Sequence, residues 1–377
     1  LVPVAHRCDA PCRPAVPASR LAAATPATLR CASHRVPRPV LAAKRAYQYS
    51  MRLPQCSAVA MLLVGLHVGC DSAVALDNGL AIKPPRGWRS WNFFAGAISD
   101  VLIRGQVEAM LTKRPTKHCP PAGTCTEVPM SLVDLGYEHA GIDDGWQACN
   151  SYTVEPSGSP AFHDAAGKVN VNATLFPDFH ALTTYAAARR VQLGFYINNC
   201  ICHESASHIH NKTWENLTYF GDIDQIASAN FSGVKIDNCG LHTDMDKYAK
   251  LMNDTGKAFV VEHVAGDKAP TNRSWCPFNM FRTSNDIHPS WGSIMNNLHS
   301  TQRFLNVSRP GCWGFPDMLE CGNLAGPLAA VESRTHFGAW CIVSSPLILV
   351  REPVFTGHVN EPLDLKCGLV MCARAST

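Results

Sequence analysis

Val234-Lys235-Ile236-Asp237-Asn238 is the stretch on which the fold prediction rests, because a short run with buried-strand character ends there in a carboxylate. Phe281-Arg282-Thr283-Ser284-Asn285-Asp286 repeats this arrangement further along the chain. Other polar residues end similar runs, namely Asp143-Asp144, Tyr196-Ile197-Asn198, Glu262-His263 and Pro316-Asp317-Met318. Polar side chains gathered at the carboxyl ends of many buried strands are typical of an α/β barrel enzyme. Two carboxylates among them favour glycosidic bond chemistry.

Eight short apolar runs alternate with segments that can be helical. The predicted strands are Trp88–Phe94, Tyr137–Ile142, Val191–Ile197, Val234–Ile236, Phe259–Val261, Met280–Arg282, Asp317–Leu319 and Ala339–Val343. The helix candidates include Ile103–Thr112, Ala181–Arg190, Asp222–Asn230 and Asp244–Met252. Such alternation over roughly 275 residues predicts one (β/α)₈ TIM barrel in the α/β class. A doubly wound open sheet is disfavoured, because no glycine-rich phosphate loop follows the first strand.

The composition is that of a folded protein, since 46% of the 377 residues are hydrophobic and 17% are charged. The formal net charge of +3 is unevenly spread, with eight Lys and Arg against one acid in residues 1–50. From Leu76 onward, 24 Lys and Arg stand against 28 Asp and Glu, a net charge of −4. A mildly acidic surface argues against nucleic-acid binding, which requires a basic face.

The first 75 residues are interpreted as two segments outside the barrel. Residues 1–50 are rich in Ala, Pro and Arg and lack apolar periodicity, which indicates an unstructured upstream or targeting extension. Met51-Arg52, the apolar run Ala58–Val68 and Ala73-Val74-Ala75 have the layout of a secretory signal peptide over residues 51–75. The apolar run is too short to cross a membrane, so no membrane contact is expected after cleavage.

Sequons and cysteines both predict the secretory pathway, with an extracellular, lysosomal or vacuolar destination. Seven Asn-x-Ser/Thr sequons begin at Asn172, Asn211, Asn216, Asn230, Asn253, Asn272 and Asn306. Of 17 cysteines, 12 follow residue 75, which favours an oxidising compartment. Cys119 and Cys125 flank a short loop that a disulfide could close. Zinc is disfavoured there, because no second close pair with the spacing of a structural zinc site accompanies them, and no metal site is predicted.

Several motifs follow one another in a recognisable order: Leu76–Ala81, Gly87-Trp88-Arg89-Ser90-Trp91-Asn92, Ile142-Asp143-Asp144-Gly145-Trp146, Leu193–Tyr196, Val234–Cys239, Arg282–Ile287, Pro316–Leu319 and Arg334–Phe337. In this order they resemble the α-galactosidases of the melibiase family, which are related to α-N-acetylgalactosaminidases. The resemblance implies a TIM barrel followed by a C-terminal β-sandwich. It also implies retaining hydrolysis of terminal α-D-galactosyl residues without a cofactor. The catalytic barrel is assigned to residues 76–350.

The resemblance carries roles over to individual residues. It implies Asp237 as the nucleophile and Asp286 as the acid/base. It implies substrate contacts by Trp91, Asp143, Asp144, Tyr196, Lys235, Glu262, Arg282 and Asp317. Asp143 and Asp144 match the pair that binds the galactose 4- and 6-hydroxyls. Glu262 favours galactose over N-acetylgalactosamine, because a carboxylate would crowd an acetamido group and repel its carbonyl oxygen.

The chemistry of the two aspartates leads to the same roles. Retention requires two carboxyl groups about 5–5.5 Å apart, and the ends of the fourth and sixth barrel strands could hold them across the mouth. Lys235 lies two residues before Asp237, on the same side of a strand, and is expected to hold it ionised. A charged Asp237 would make Asp286 harder to ionise and therefore the better proton donor.

The cysteines depart in part from the family pattern. Cys239 is retained, and either Cys202 or Cys200 is its expected partner in the family's pocket-wall disulfide. No cysteine adjoins Glu262, so Cys276 is assigned to Cys312.

Two further departures are a glycine and the carboxyl end. Gly145 stands where the family has a cysteine. The resemblance stops near residue 350, so residues 351–377 are interpreted as a divergent, truncated tail with the β-sandwich missing.

Three other functions are kept as alternatives. The first is α-N-acetylgalactosaminidase, which paired substrates would reveal. The second is a divalent-metal barrel enzyme that abstracts a proton beside a carboxylate with Lys235 as the base, which EDTA would inactivate. The third is an inactive sugar-binding relic, which would bind galactose without turnover. A homodimer is also allowed.

Overall fold

The computed structural model describes residue 76 and residues 78–118, 124–149, 161–198, 200–204, 211–264, 268–322 and 328–350. All of these lie within the unit Val68–Thr377. The extension at 1–50, the signal peptide at 51–75 and the tail at 351–377 lie outside the described residues, so these three assignments stay predictions.

Eight parallel strands form one curled sheet. In spatial order they are β10 (Leu347–Leu349), β1 (Arg86–Arg89), β4 (His139–Gly141), β5 (Gln192–Ile197), β6 (Gly233–Ile236), β7 (Val260–His263), β8 (Met280–Arg282) and β9 (Trp313–Phe315). Beyond β9, Leu319 forms a parallel bridge with Leu349 and donates its N–H to the carbonyl of Ile348. The sheet therefore closes on itself, and the predicted (β/α)₈ barrel is confirmed.

Helices occupy most of the connections between the barrel strands. They are α1 (Trp91–Phe94), α2 (Asp100–Leu111), α3 (Phe179–Ala187), α4 (Lys212–Ser228), α5 (Met245–Asp254), α6 (Trp291–Ser300) and α7 (Ala330–Ile342). Five of these helices begin immediately after a residue whose side chain accepts a backbone N–H of the first turn. These residues are Ser99, Asp178, Asn211, Asp244 and Ser290. Each such cap stabilises its helix by roughly 1 kcal/mol.

Three predicted strands are misplaced. The first, predicted at Trp88–Phe94, is Arg86–Arg89, and Trp91–Phe94 form helix α1 instead.

The other two misplaced strands are the last two. Ala339–Val343 was predicted as the eighth strand, but these residues end helix α7 and the strand is Leu347–Leu349. An apolar run of five residues has no periodicity that separates a buried helix from a buried strand. The seventh strand, predicted at Asp317–Leu319, lies four residues earlier at Trp313–Phe315.

An antiparallel hairpin, β2 (Arg114–His118) and β3 (Thr126–Met130), was not predicted. It brackets the short loop between Cys119 and Cys125. Cys119 lies outside the described residues, so that disulfide stays a prediction. Apart from the barrel, this hairpin is the only sheet within the described residues.

Aromatic side chains fill the space between the sheet and α3. Trp146 packs on Phe195 with ring centroids 4.5 Å apart, and Phe179 packs on Phe231 at 5.5 Å. Burial of each such side chain contributes roughly 1.5–3 kcal/mol. Among the described residues, no helix is long and apolar enough to span a bilayer.

A buried histidine on the outer side of the barrel joins separate segments. His163 Nδ1 lies 2.6 Å from Glu204 Oε1, and its Nε2 lies 3.2 Å from Asp222 Oδ1 on α4. Asp222 also accepts a hydrogen bond from the Tyr248 hydroxyl of α5. Burial alone would lower the pKa of His163, but Asp222 and Glu204 outweigh burial and raise it to about 9. The ring is therefore a cation at neutral pH that donates to both carboxylates.

Stability is expected to fall between about pH 6.5 and pH 9. The pKa of His163 is raised on folding from 6.5 to about 9, so its contribution is complete below the lower value and lost above the higher one. A shift of this size corresponds to roughly 3 kcal/mol. Urea unfolding midpoints measured across this range should drop in the wild type and stay nearly flat in His163→Gln. Parallel pH curves for the two proteins would contradict the assignment.

Candidate active site

Strand pairing gathers the inward-facing residues at the carboxyl ends of β5, β6 and β7. Tyr196 lies beside Lys235, and Lys235 lies beside Glu262. Asp237 follows two residues after Lys235 and therefore continues on the same face, because strand side chains alternate. These four predicted site residues are brought together in one place.

The Asp237 carboxylate is held by three neighbouring groups. Oδ2 accepts a 2.7 Å hydrogen bond from the Tyr196 hydroxyl and lies 3.8 Å from the Lys235 ammonium. Oδ1 accepts the N–H of Asn238 at 2.6 Å. The side chain remains 14% exposed, so the carboxylate is fixed in direction and still open to a ligand.

Lys235 has a nearer partner than Asp237. Its ammonium donates to Asp143 Oδ2 at 2.9 Å, against 3.8 Å to Asp237 Oδ2. Burial alone would lower the pKa of Lys235, but the charges of Asp143 and Asp237 outweigh burial and raise it. A raised pKa keeps Lys235 protonated at neutral pH, which does not suit the base that the metal-enzyme alternative requires.

Asp143 is almost fully buried and lies between two cations. Besides Lys235, the guanidinium of Arg89 approaches Asp143 Oδ2 at 3.5 Å, and the side chain is 1% exposed. Burial alone would raise the pKa of Asp143, but Lys235 and Arg89 hold it below its ordinary value. Arg89 was not assigned to the site from the sequence, although it lies within the motif Gly87-Trp88-Arg89-Ser90-Trp91-Asn92.

Asp144 anchors a loop. Its Oδ2 accepts the N–H groups of Cys200 and Ile201, both at 3.0 Å, and its Oδ1 accepts from Gln147 at 2.7 Å. Burial, only partly offset by these donors, raises the pKa of Asp144 to about 6. Both carboxylate oxygens thus have protein donors.

Glu262 forms an ion pair with Arg89 across the barrel. Arg89 Nη2 donates to Glu262 Oε2, and both side chains are buried. Burial raises the pKa of Glu262, while Arg89 and then Lys235 act against this rise. The charged groups form one alternating row, in the order Glu262, Arg89, Asp143, Lys235, Asp237.

Asp286 lies behind β8 and is 77% exposed. Its Oδ1 accepts from Arg282 Nη2 at 2.8 Å. Burial would raise the pKa of Asp286, but Arg282, followed by the charge of Lys235, lowers it below the ordinary value. The expectation that Asp286 is hard to ionise is therefore wrong, because a guanidinium four residues upstream stabilises its charge.

Asp317 supports the segment that carries Asp286. Its Oδ2 accepts the N–H of Ile287 at 2.9 Å and lies 3.4 Å from Arg282 Nη1. Its backbone has a φ of 78°, and its carbonyl accepts from Trp340 at 2.6 Å. The carboxylate is buried and occupied by protein donors.

Trp91 begins α1 immediately behind β1 and is partly buried. It packs against a small core cluster that includes Trp313 and Ile348. Trp91 therefore lies at the carboxyl end of the barrel with part of its ring still accessible.

Disulfides join the loops of the barrel mouth. Cys239 pairs with Cys200 rather than Cys202, and so ties the segment behind Asp237 to the loop that Asp144 holds. Cys202 pairs with Cys149. Farther along the chain, Cys276 pairs with Cys312.

Gly145 meets a steric requirement. Its φ is +115°, and a Cβ there would lie 2.6 Å from the backbone of Gly96. A cysteine at this position would clash, and the nearby bond from Cys149 to Cys202 joins this segment to the neighbouring loop instead.

The arrangement can support displacement chemistry at a saturated carbon. Asp237 and Asp286 follow β6 and β8, the fourth and sixth strands of the barrel, on either side of β7. One carboxylate is fixed by hydrogen bonds, and the other is exposed beside a buried guanidinium. Two carboxyl groups at one barrel mouth are the minimum for retaining glycoside hydrolysis.

Comparisons with known proteins agree with this arrangement. A family model described as alpha galactosidase A (Melibiase_2) matches residues 83–354. The α-galactosidase of Oryza sativa subsp. japonica is 28% identical over 283 residues, which are 73% of this chain and 59% of the rice protein. α-Galactosidase 2 of Arabidopsis thaliana is 27% identical over 292 residues, 74% of this chain and 64% of that protein. The chain therefore spans about three fifths of these relatives.

The solved structure of the α-galactosidase from Saccharomyces cerevisiae has a TM-score of 0.56 to this chain. The two chains are 21% identical, and the match covers 73% of this chain and 60% of the yeast chain. At that identity the likeness establishes the fold alone.

Proposed function

The chain belongs to the alpha galactosidase A family, whose model matches most of its length, and from this membership we propose that it is a retaining glycoside hydrolase acting on terminal α-D-galactosyl residues. Its substrates would be oligosaccharides or glycoconjugates. The proposal rests on one observation. Asp237, which is held by hydrogen bonds, follows β6, and Asp286 follows β8 at the same barrel mouth.

In the proposed first step, Asp237 attacks the anomeric carbon and Asp286 gives its proton to the leaving oxygen. The Tyr196 hydroxyl and the Lys235 ammonium hold Asp237 in line. A covalent galactosyl ester forms on Asp237, and the aglycone leaves. In the second step, Asp286 removes a proton from water, which attacks the ester and releases α-galactose.

A lowered pKa of Asp286 does not fit a proton donor, but substrate binding would raise it. The side chain is 77% exposed, so a bound sugar and aglycone would displace most of its water. Desolvation raises the pKa of a carboxyl group. Asp286 is therefore expected to gain its proton when substrate covers it.

The proposal is tested with p-nitrophenyl α-galactoside and the matching α-N-acetylgalactosaminide. Glu262 is buried beside Arg89, and its carboxylate would crowd an acetamido group on the sugar. We therefore expect a preference for galactose of at least roughly tenfold in kcat/KM. Proton NMR should show α-galactose as the first product, and EDTA should leave the rate unchanged. A β first product, loss of activity in EDTA, or binding of galactose without hydrolysis would each refute the proposal.

Passage through the secretory pathway is part of the proposal. Six of the seven sequon asparagines are exposed, and three disulfides join described segments. Glycan release followed by mass spectrometry of the secreted protein would test it. The homodimer stays a prediction.

A further inference from the structure

Arg89 is the one charged residue of the alternating row to which the sequence assigns no role. Its side chain is 9% exposed and lies between Asp143 and Glu262. Gly141, its neighbour on β4, makes room for it, since a Cβ there would lie 3.1 Å from the Arg89 Cζ. The ion pair is therefore built into the barrel wall and is not a chance contact of two surface side chains.

Among the described residues, Glu262 forms no second ion pair. Arg282 and Asp317 also act on its charge, but they pair with each other at 3.4 Å. Lys235 lies beside Glu262 but is already bound by Asp143 at 2.9 Å and faces Asp237 at 3.8 Å. A buried carboxyl group that loses its counter-charge takes up a proton. Arg89 thus decides whether Glu262 is an ionised acceptor or a neutral donor, and it also fixes the direction in which the carboxylate points.

Resting on the proposed function, we propose that Arg89 is a positioning residue that sets specificity at C2 of the sugar by keeping Glu262 ionised and turned toward β1. An ionised Glu262 accepts a hydrogen bond from a 2-hydroxyl and repels the carbonyl oxygen of a 2-acetamido group. A protonated Glu262 donates to that carbonyl oxygen, so the discrimination disappears.

The test is Arg89→Met in the full chain, assayed on the p-nitrophenyl α-galactoside and α-N-acetylgalactosaminide. The galactose preference in kcat/KM should fall by roughly tenfold or more. The pH profile of galactosidase activity should also show an ionisation that the wild-type profile lacks. The activity should rise with pH as Glu262 loses its proton. Arg89→Lys, which keeps the charge, should retain the wild-type pH profile. Arg104→Met on α2, which breaks a partly exposed pair with Asp100, is the matched control.

A double-mutant cycle separates this role from a structural one. Glu262→Gln should reduce the preference as Arg89→Met does, and Arg89→Met added to Glu262→Gln should change it no further. An equal loss on both substrates with an unchanged pH profile would overturn the inference, as would an unaltered preference in Glu262→Gln. If Arg89→Met by itself does not fold, the inference is tested by the galactose preference of Glu262→Gln and of the double variant, which leaves no unpaired charge at this position. If the wild type hydrolyses neither substrate, it is the proposed function that has failed.

Discussion

Asp237→Asn is expected to hydrolyse p-nitrophenyl α-galactoside at least about 10⁴-fold more slowly than the wild type, the scale on which loss of a nucleophile acts. The amide keeps the shape of the carboxylate and can still accept from the Tyr196 hydroxyl. It cannot form the galactosyl ester, so kcat should collapse while KM stays close to the wild-type value. Asp224→Asn, at an exposed position on α4, is the matched control and should be fully active.

Azide rescue identifies the role of Asp237 independently of the rate. In Asp237→Gly, azide can enter the space that the carboxylate leaves and displace the aglycone in a single step. The product should be β-galactosyl azide, because one displacement inverts the anomeric centre. Formation of α-galactosyl azide would instead identify Asp237 as the acid/base, and near-normal hydrolysis by either variant would remove it from the reaction.

The barrel could be predicted because each strand has its own signal in the local sequence. A run such as Val234–Ile236 is short, apolar and followed by a polar tip, and β6 occupies Gly233–Ile236. The prediction fails where the local signal is shared by two structures. Ala339–Val343 is as apolar as a buried strand, although Trp340 is the only buried residue among these five and lies in α7. The family resemblance is confirmed by the family model that matches residues 83–354.

The partners of the site residues could not be predicted. Sequence spacing pairs Lys235 with Asp237 because they are two residues apart, but the closer carboxylate, Asp143, belongs to the segment that follows β4. Spacing likewise pairs Arg282 with Asp286, and there the structure agrees. Contacts between strands depend on register and on the tilt of the barrel, neither of which a single strand encodes. The contacts of Arg89 with Asp143 and Glu262 could not be predicted for the same reason.

Asp286→Ala is expected to lose more activity on substrates whose leaving group must be protonated than on substrates whose leaving group departs as an anion. With an unactivated disaccharide, kcat/KM should fall roughly 10²–10⁴-fold, the usual contribution of a general acid. With 2,4-dinitrophenyl α-galactoside, whose leaving group departs without a proton, bond cleavage should be almost unaffected. The ester on Asp237 then accumulates, because no base activates water, and a burst of dinitrophenolate should precede slow turnover. Azide should speed this turnover and give α-galactosyl azide.

The pH dependence of the wild type supplies the strictest test of Asp286. Arg282 keeps the pKa of this carboxyl below its ordinary value in the free protein, and kcat/KM reports the free protein, whereas kcat reports the substrate complex. Since the acid must be protonated to act, the fall in activity on the alkaline side should occur at lower pH in kcat/KM than in kcat. If substrate does not cover Asp286, the alkaline limbs of the kcat/KM and kcat profiles, where activity falls, should lie at the same pH. In Asp286→Ala this limb should be absent from both profiles, and its persistence would mean that another group is the acid.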